Sequence, residues 1–204
     1  MPTDKQSLFI VVEGLDGAGT TTIAGRLAEA LRARDLRVRL TAEPTDGPLG
    51  SLLRAHVKGD VNLEEQIAAL VFTGDRADHL AQYIRPALQR GEWVVCDRYL
   101  LSTLAYQGAA GVSREAVLAA SDGFDVPDVT FVLDVPEEAR TQRLATRSKA
   151  ERYEGAELGD ALQRSYEESI ELLRSARHRI EVIDSSQPIE KVLEDVLARL
   201  DLSA

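Results

Sequence analysis

The sequence predicts an α/β fold, a five-stranded parallel sheet with helices on both faces, making three layers. Two observations carry this. Short apolar runs alternate with segments of helical period along the whole chain, the order that builds strand–helix–strand units. The residues with chemistry cluster just after the apolar runs, where such sheets place their ligands.

The elements follow in order. Residues 7–14, "SLFIVVEG", are a continuous apolar run closing on glycine, a buried strand. In residues 20–35, Ile23, Leu27, Ala28 and Leu31 recur at helical spacing. Residues 36–44 read as a second strand, cut by Pro44. Residues 48–58 and 62–90 read as helical, and "EWVVCDRY" (92–99) as the third strand. Helical patterns at 99–108 and 113–122 lead to a fourth strand, "DVTFVLDVP" (128–136). Helices are expected in "EEARTQRLATR" and at 157–176, then a fifth strand, "HRIEVIDSS" (178–186). The last helix, 188–200, has Pro188 near its start. The strand ends gather the loop 14–21, Glu43-Pro44, Asp97-Arg98 and Asp184.

A chain of 204 residues, 44% hydrophobic, suits one domain spanning 1–204. No run approaches 18 apolar residues, so no membrane span is expected. The opening "MPTDKQS" lacks a signal peptide's apolar core. The single cysteine, Cys96, sits in an apolar run and reads as a buried thiol. Together these give a cytoplasmic expectation. A net charge of -10 argues against wrapping nucleic acid. The three histidines, His56, His79 and His178, lack metal-ligand spacing and read as surface or supporting residues.

The phosphate-loop pattern G-x-x-x-x-G-K-[ST] is met by Gly14-Leu15-Asp16-Gly17-Ala18-Gly19-Thr20-Thr21 at every position except the lysine, which is Thr20. The glycines let backbone N–H groups turn inward as an anion nest. The following helix adds its N-terminal dipole. Thr21 is placed to offer its hydroxyl to Mg²⁺. Losing one charge-assisted contact costs about 1.5–3 kcal/mol. Either another cation fills the lysine's place, or the loop binds without catalysing. Asp97, closing the third strand, has the chemistry to hold Mg²⁺ through water. Arg98 has the geometry to grip a phosphate with two parallel hydrogen bonds. Phe72 and Arg76, four apart, share a helical face, and an aromatic plane beside polar edges reads a base. The polar stretch 146–156, "TRSKAERYEGA", is a candidate flexible lid.

The stretches "VEGLDGAG" (12–19), "EPT" (43–45), "FTGDRADHL" (72–80), "CDRYLLSTLAYQGA" (96–109), "RSKAERYE" (147–154) and "VIDSS" (182–186) stand in one order over nearly the whole chain. In these the sequence resembles the thymidylate kinases, which phosphorylate dTMP with ATP. The resemblance implies a P-loop kinase fold with a short lid at about 143–157, ATP and Mg²⁺ as cofactors, and a homodimer. It implies that ATP lies on Gly14 to Thr21, on Thr22 and near Asp184, and that Mg²⁺ is held by Thr21 and Asp97. It places the dTMP phosphate against Arg98 and the thymine against Phe72, Arg76 and Thr103. Tyr106 and Gln107 would lie near the sugar, with Asp16, Glu43 and Pro44 lining the same pocket. The family often has arginine before Glu-Pro; here that position is Ala42, which leaves Arg54 as the next phosphate contact. No arginine stands among Leu15, Asp16, Gly17 and Ala18, so the catalytic arginine is implied in the lid, at Arg147 or Arg152, within the cluster Arg143, Arg147, Lys149 and Arg152. The competing readings are a kinase for another deoxynucleotide or a nucleoside, and a nucleotide-binding protein that no longer catalyses.

Overall fold

The computed structural model describes residues 7–145 and 156–200. Strand β1 (Phe9–Gly14) runs into helix α1 (Thr20–Arg32), then β2 (Val38–Ala42), α2 (Pro48–Val57) and α3 (Glu65–His79). A π-helical turn (Leu80–Ile84) joins α3 to α4 (Arg85–Gln89), which leads to β3 (Trp93–Asp97). Helices α5 (Leu100–Ala109) and α6 (Arg114–Ala120) precede β4 (Val129–Asp134). Then come α7 (Glu137–Ala145), α8 (Ala156–Ser175), β5 (Ile180–Asp184) and α9 (Ile189–Ala198).

The five strands form one sheet in the order β2-β3-β1-β4-β5, with every pairing parallel. Alternate residues of the three central strands, β3, β1 and β4, feed two separate cores. Phe9, Val11, Val94, Cys96 and Val132 pack under α5 and α8. Ile10, Val12, Val95, Phe131 and Leu133 pack under α1 and α9. Strands apolar on both faces are what an all-parallel sheet requires. The buried free thiol of Cys96 meets its expectation.

The register brings the functional ends level. Val12 lies opposite Asp97 and Phe131, Ala42 opposite Asp97, and Asp134 opposite Asp184. At the other edge, residues in the left-handed region turn the chain back toward the sheet: Asp35 (φ 61°), Gly91 (φ 69°) and Arg177 (φ 68°).

The expected helix over 62–90 is interrupted by the π turn just before Pro86. Proline has no N–H to donate and its ring crowds the carbonyl four residues back. A wider turn, in which Arg85 donates its N–H to the Leu80 carbonyl, removes that conflict.

Candidate active site

The phosphate loop is shaped by close approaches. A side chain at Gly14 would meet Ala18 Cβ and the Leu133 carbonyl oxygen, each at 2.9 Å, so β1 leaves the sheet where nothing larger fits. Gly19, at φ 94°, caps α1 in the left-handed region. The first turn of α1 therefore opens its N–H groups to whatever the loop holds.

Thr20 does not face outward. It is 6% exposed, and its methyl group lies 3.3 Å from where a Gly14 side chain would begin. Thr21 is exposed, and its hydroxyl donates to Asp97 Oδ2 at 2.5 Å. Asp97 is 8% exposed, and its buried Oδ1 has no hydrogen-bond partner among the described residues. A hydroxyl beside an unsatisfied carboxylate oxygen is a fitting donor set for Mg²⁺, which prefers oxygen ligands and keeps several waters. No group of three or more His, Cys, Asp or Glu positioned for a metal occurs among the described residues, so the other ligands of such an ion would be water and phosphate.

A cavity of about 250 Å³ opens beside this pair. Asp16, Arg98, Tyr106 and Gln107 line it together with Glu43, Pro44, Phe72, Arg76 and Thr103. Nine of the ten residues expected at the acceptor are thus in one cavity. The tenth, Arg54, is not among its lining residues. Its guanidinium donates to the Pro44 and Thr45 carbonyls and pairs with Asp46, holding the loop that carries Glu43-Pro44.

Arg98 stands at φ 69°, a conformation that a non-glycine residue adopts at a cost. Its Nη2 donates to Asp16 at 2.6 Å, and its Nη1 to Ser102 Oγ at 3.1 Å and Tyr106 Oη at 3.4 Å. Burial pushes the Tyr106 hydroxyl well above its ordinary pKa, so it stays protonated. Arg76 is 1% exposed and paired with buried Glu43. Nε and Nη2 reach Glu43 Oε2 at 2.9 and 2.8 Å, and Nη2 also donates to Thr103 at 2.8 Å. Its buried Nη1 has no partner among the described residues.

Two of the histidines fall on the supporting side of their expectation. His79 is buried behind Glu43, with Nδ1 3.0 Å from Oε1 and Nε2 2.7 Å from Thr41 Oγ1. His56 is fully buried and accepts the Leu63 N–H, which decides against the surface alternative for that histidine. The sequence signal for both was faint: each is a polar residue on the inward face of a helix.

A second cavity, of about 200 Å³, lies behind the loop between Gly19, Thr22, Arg143, Ser185 and Gln187. Arg143 ties its walls together, donating to the carbonyls of Gly17 (3.2 Å), Ala18 (3.4 Å) and Ser185 (3.1 Å). Asp184 turns away to accept from the Ser186 hydroxyl (2.6 Å) and N–H (2.9 Å). The Ser186 bonds hold its carboxyl below the usual range. Arg147, Lys149 and Arg152 lie outside the described residues.

The family model for thymidylate kinase matches residues 12–196. A probable thymidylate kinase of Pyrobaculum calidifontis is 37% identical over 194 residues, covering 95% of this chain and 96% of its own. The thymidylate kinase of Akkermansia muciniphila is 40% identical, covering 79% of this chain and 78% of its own. That of Leifsonia xyli is 38% identical, covering 98% of each. With the phosphate loop, the Asp97–Arg98 corner and the Phe72–Arg76 face assembled around one cavity, the chain belongs to the thymidylate kinase family.

Proposed function

We propose that this protein transfers the γ-phosphoryl group of ATP to dTMP, giving ADP and dTDP. One observation carries the reading. A single cavity is lined by Thr21, Asp97 and Arg98, whose chemistry suits phosphate, and by Phe72 and Arg76, whose chemistry suits a base.

The acceptor phosphate is already a nucleophile, so no residue need remove a proton. Arg98, steadied by Asp16, grips that phosphate. Phe72 stacks on the thymine, and Nη1 of Arg76 donates to its edge. Tyr106 stands against the sugar, where a 2′-hydroxyl would crowd it. Glu43, Pro44, Thr103 and Gln107 complete the wall, and Arg54 secures the loop behind it. The loop N–H groups take the phosphates of ATP, with its base toward the Arg143–Ser185 cavity. Thr21 and Asp97 would hold Mg²⁺, through water at Asp97, and the ion would supply neutralisation of phosphate charge. The chemistry is alignment and charge compensation throughout.

Three carboxylates (Asp16, Glu43, Asp97) and two arginines (Arg76, Arg98) line the acceptor cavity. More positive charge is needed for transfer, and Arg147 and Arg152 supply it. A homodimer and a cytoplasmic location complete the proposal, with no nucleic-acid partner. Ile67 and Leu70, 49% and 60% exposed, continue into Gly74 and exposed Ala77 along one face of α3. Leu49 of α2, 39% exposed, lies against Gly74 and extends this apolar face, which supports a contact between two copies.

A steady-state assay with ATP, Mg²⁺ and a panel of dTMP, thymidine, UMP and TMP bearing a ribose tests the activity. dTMP is expected to be the best acceptor and the ribose form poorer by about tenfold or more, the size of one steric misfit. Thymidine outpacing dTMP, or ATP bound with no turnover, would overturn it. Sedimentation at assay concentration reads the dimer, and a monomer would remove that part.

A further inference from the structure

Glu13 directly precedes the phosphate loop, and the mechanism above makes no use of it. Its side chain is completely buried, at 0% exposure. A buried carboxylate is costly unless its oxygens are engaged. Four donors converge on it. Oε1 accepts the N–H groups of Tyr99 (2.8 Å) and Ser102 (3.1 Å). Oε2 accepts the hydroxyls of Ser102 (2.5 Å) and Tyr166 (3.1 Å).

One N–H group is that of Tyr99, the cap residue of α5, and the other lies in the helix's first turn; the Tyr99 side chain itself makes no capping bond. Glu13 thus caps α5 from the neighbouring strand, and its negative charge suits a helix N-terminus. The same helix brings Ser102, Thr103, Tyr106 and Gln107 to the cavity. The Ser102 hydroxyl does two things at once: it donates to Glu13 and accepts from Arg98 Nη1. Its proton is committed to Glu13, so its lone pairs are fixed toward Arg98. The other terminal nitrogen of Arg98 is held by Asp16. The strained backbone at Arg98 needs such restraint.

We infer that Glu13 is a positioning residue for the proposed transfer, fixing the Arg98 guanidinium against the acceptor phosphate through the Ser102 hydroxyl. This rests on the dTMP reading above. A purely structural cap would stabilise α5 without directing Arg98, and one substitution separates the two roles. In Glu13→Gln the amide oxygen still accepts both N–H groups, so the cap survives. The amide nitrogen now faces the Ser102 hydroxyl, which must accept from it and turn its proton toward Arg98. Arg98 then loses one hold while α5 keeps its start.

The experiment measures kcat and KM for dTMP and ATP, with thermal unfolding, for wild type, Glu13→Gln, Ser102→Ala and the double variant. Each single variant is expected to lose roughly ten- to a hundredfold in kcat/KM for dTMP, the scale of one hydrogen bond to a charged group. KM for ATP should stay within about twofold, and the double variant should fall no further than the worse single one, as for residues acting as a unit. Losses that multiply in the double variant would overturn the inference. So would a lowered Tm with unchanged kcat/KM for dTMP. If Glu13→Gln does not fold, Ser102→Ala alone decides: unchanged kinetics for dTMP overturn the link to Arg98, and a loss confined to dTMP supports it. Wild-type protein inactive on dTMP overturns the activity and this role with it, whereas an active wild type with independent losses overturns this role alone.

Discussion

Thr20 is where a lysine would stand, and its buried side chain sends no charge toward the loop's ligand. Thr20→Lys is expected to fold, because lysine is the ordinary residue at this position of the loop pattern. It should raise kcat/KM for ATP by about tenfold, the low end for one charge-assisted contact. Steady-state kinetics with ATP varied would show it. A fall instead would mean that other cations already satisfy the β- and γ-phosphates. Residue identities around the cavity were legible chiefly through the resemblance to the thymidylate kinases, with local spacing adding support at a few positions. Phe72 and Arg76 are one turn apart, and Asp97-Arg98 closes an apolar run. Glu13 and His79 were not legible in the same way. A carboxylate in a strand shows that a partner must exist, but its partners here lie 86 to 153 residues away. Local sequence has no term for contacts at that separation. The same limit applies to Arg54: its type suggested a phosphate, whereas the fold gave it backbone carbonyls.

All five strands and the helices between them were readable as elements, because glycines and prolines punctuate the apolar runs. The π turn at Leu80–Ile84 was not. Over five residues, helical periods of 3.6 and slightly more give the same apolar pattern, and only the conflict at Pro86 distinguishes them. Helix ends also carry a stability prediction. Arg177 ends α8 at φ 68°, a conformation that costs an L-residue about 1–2 kcal/mol. Arg177→Gly should stabilise the protein by about 1 kcal/mol, raising Tm by roughly 2–4 °C for a chain of this size. Asp35→Gly, at φ 61°, should gain less, since aspartate tolerates that region better. Thermal unfolding checks both, and a lower Tm for Arg177→Gly would show that its side chain stabilises the turn by more than the strain costs.

For the molecule as a whole the governing quantity is charge. A protein of net charge -10 must bring two anionic nucleotides together. Arg147→Ala and Arg152→Ala are therefore expected to reduce kcat far more than they raise KM for dTMP. The more important of the two should lose about 10³-fold if it acts as an arginine finger does. Full activity in both variants would move the compensating charge elsewhere, with Arg143, already on the loop carbonyls, the next to test.

The parallel register has a practical corollary. Among the described residues, the strand-borne groups assigned to substrate sit at the carboxyl edge of the sheet, while the chain reverses at Asp35, Gly91 and Arg177 on the opposite edge. That edge is the natural place for a fluorophore, a surface tether or a grafted sensor domain. Attachments there would leave the mouth of the cavity clear and let binding be followed on an immobilised, working molecule.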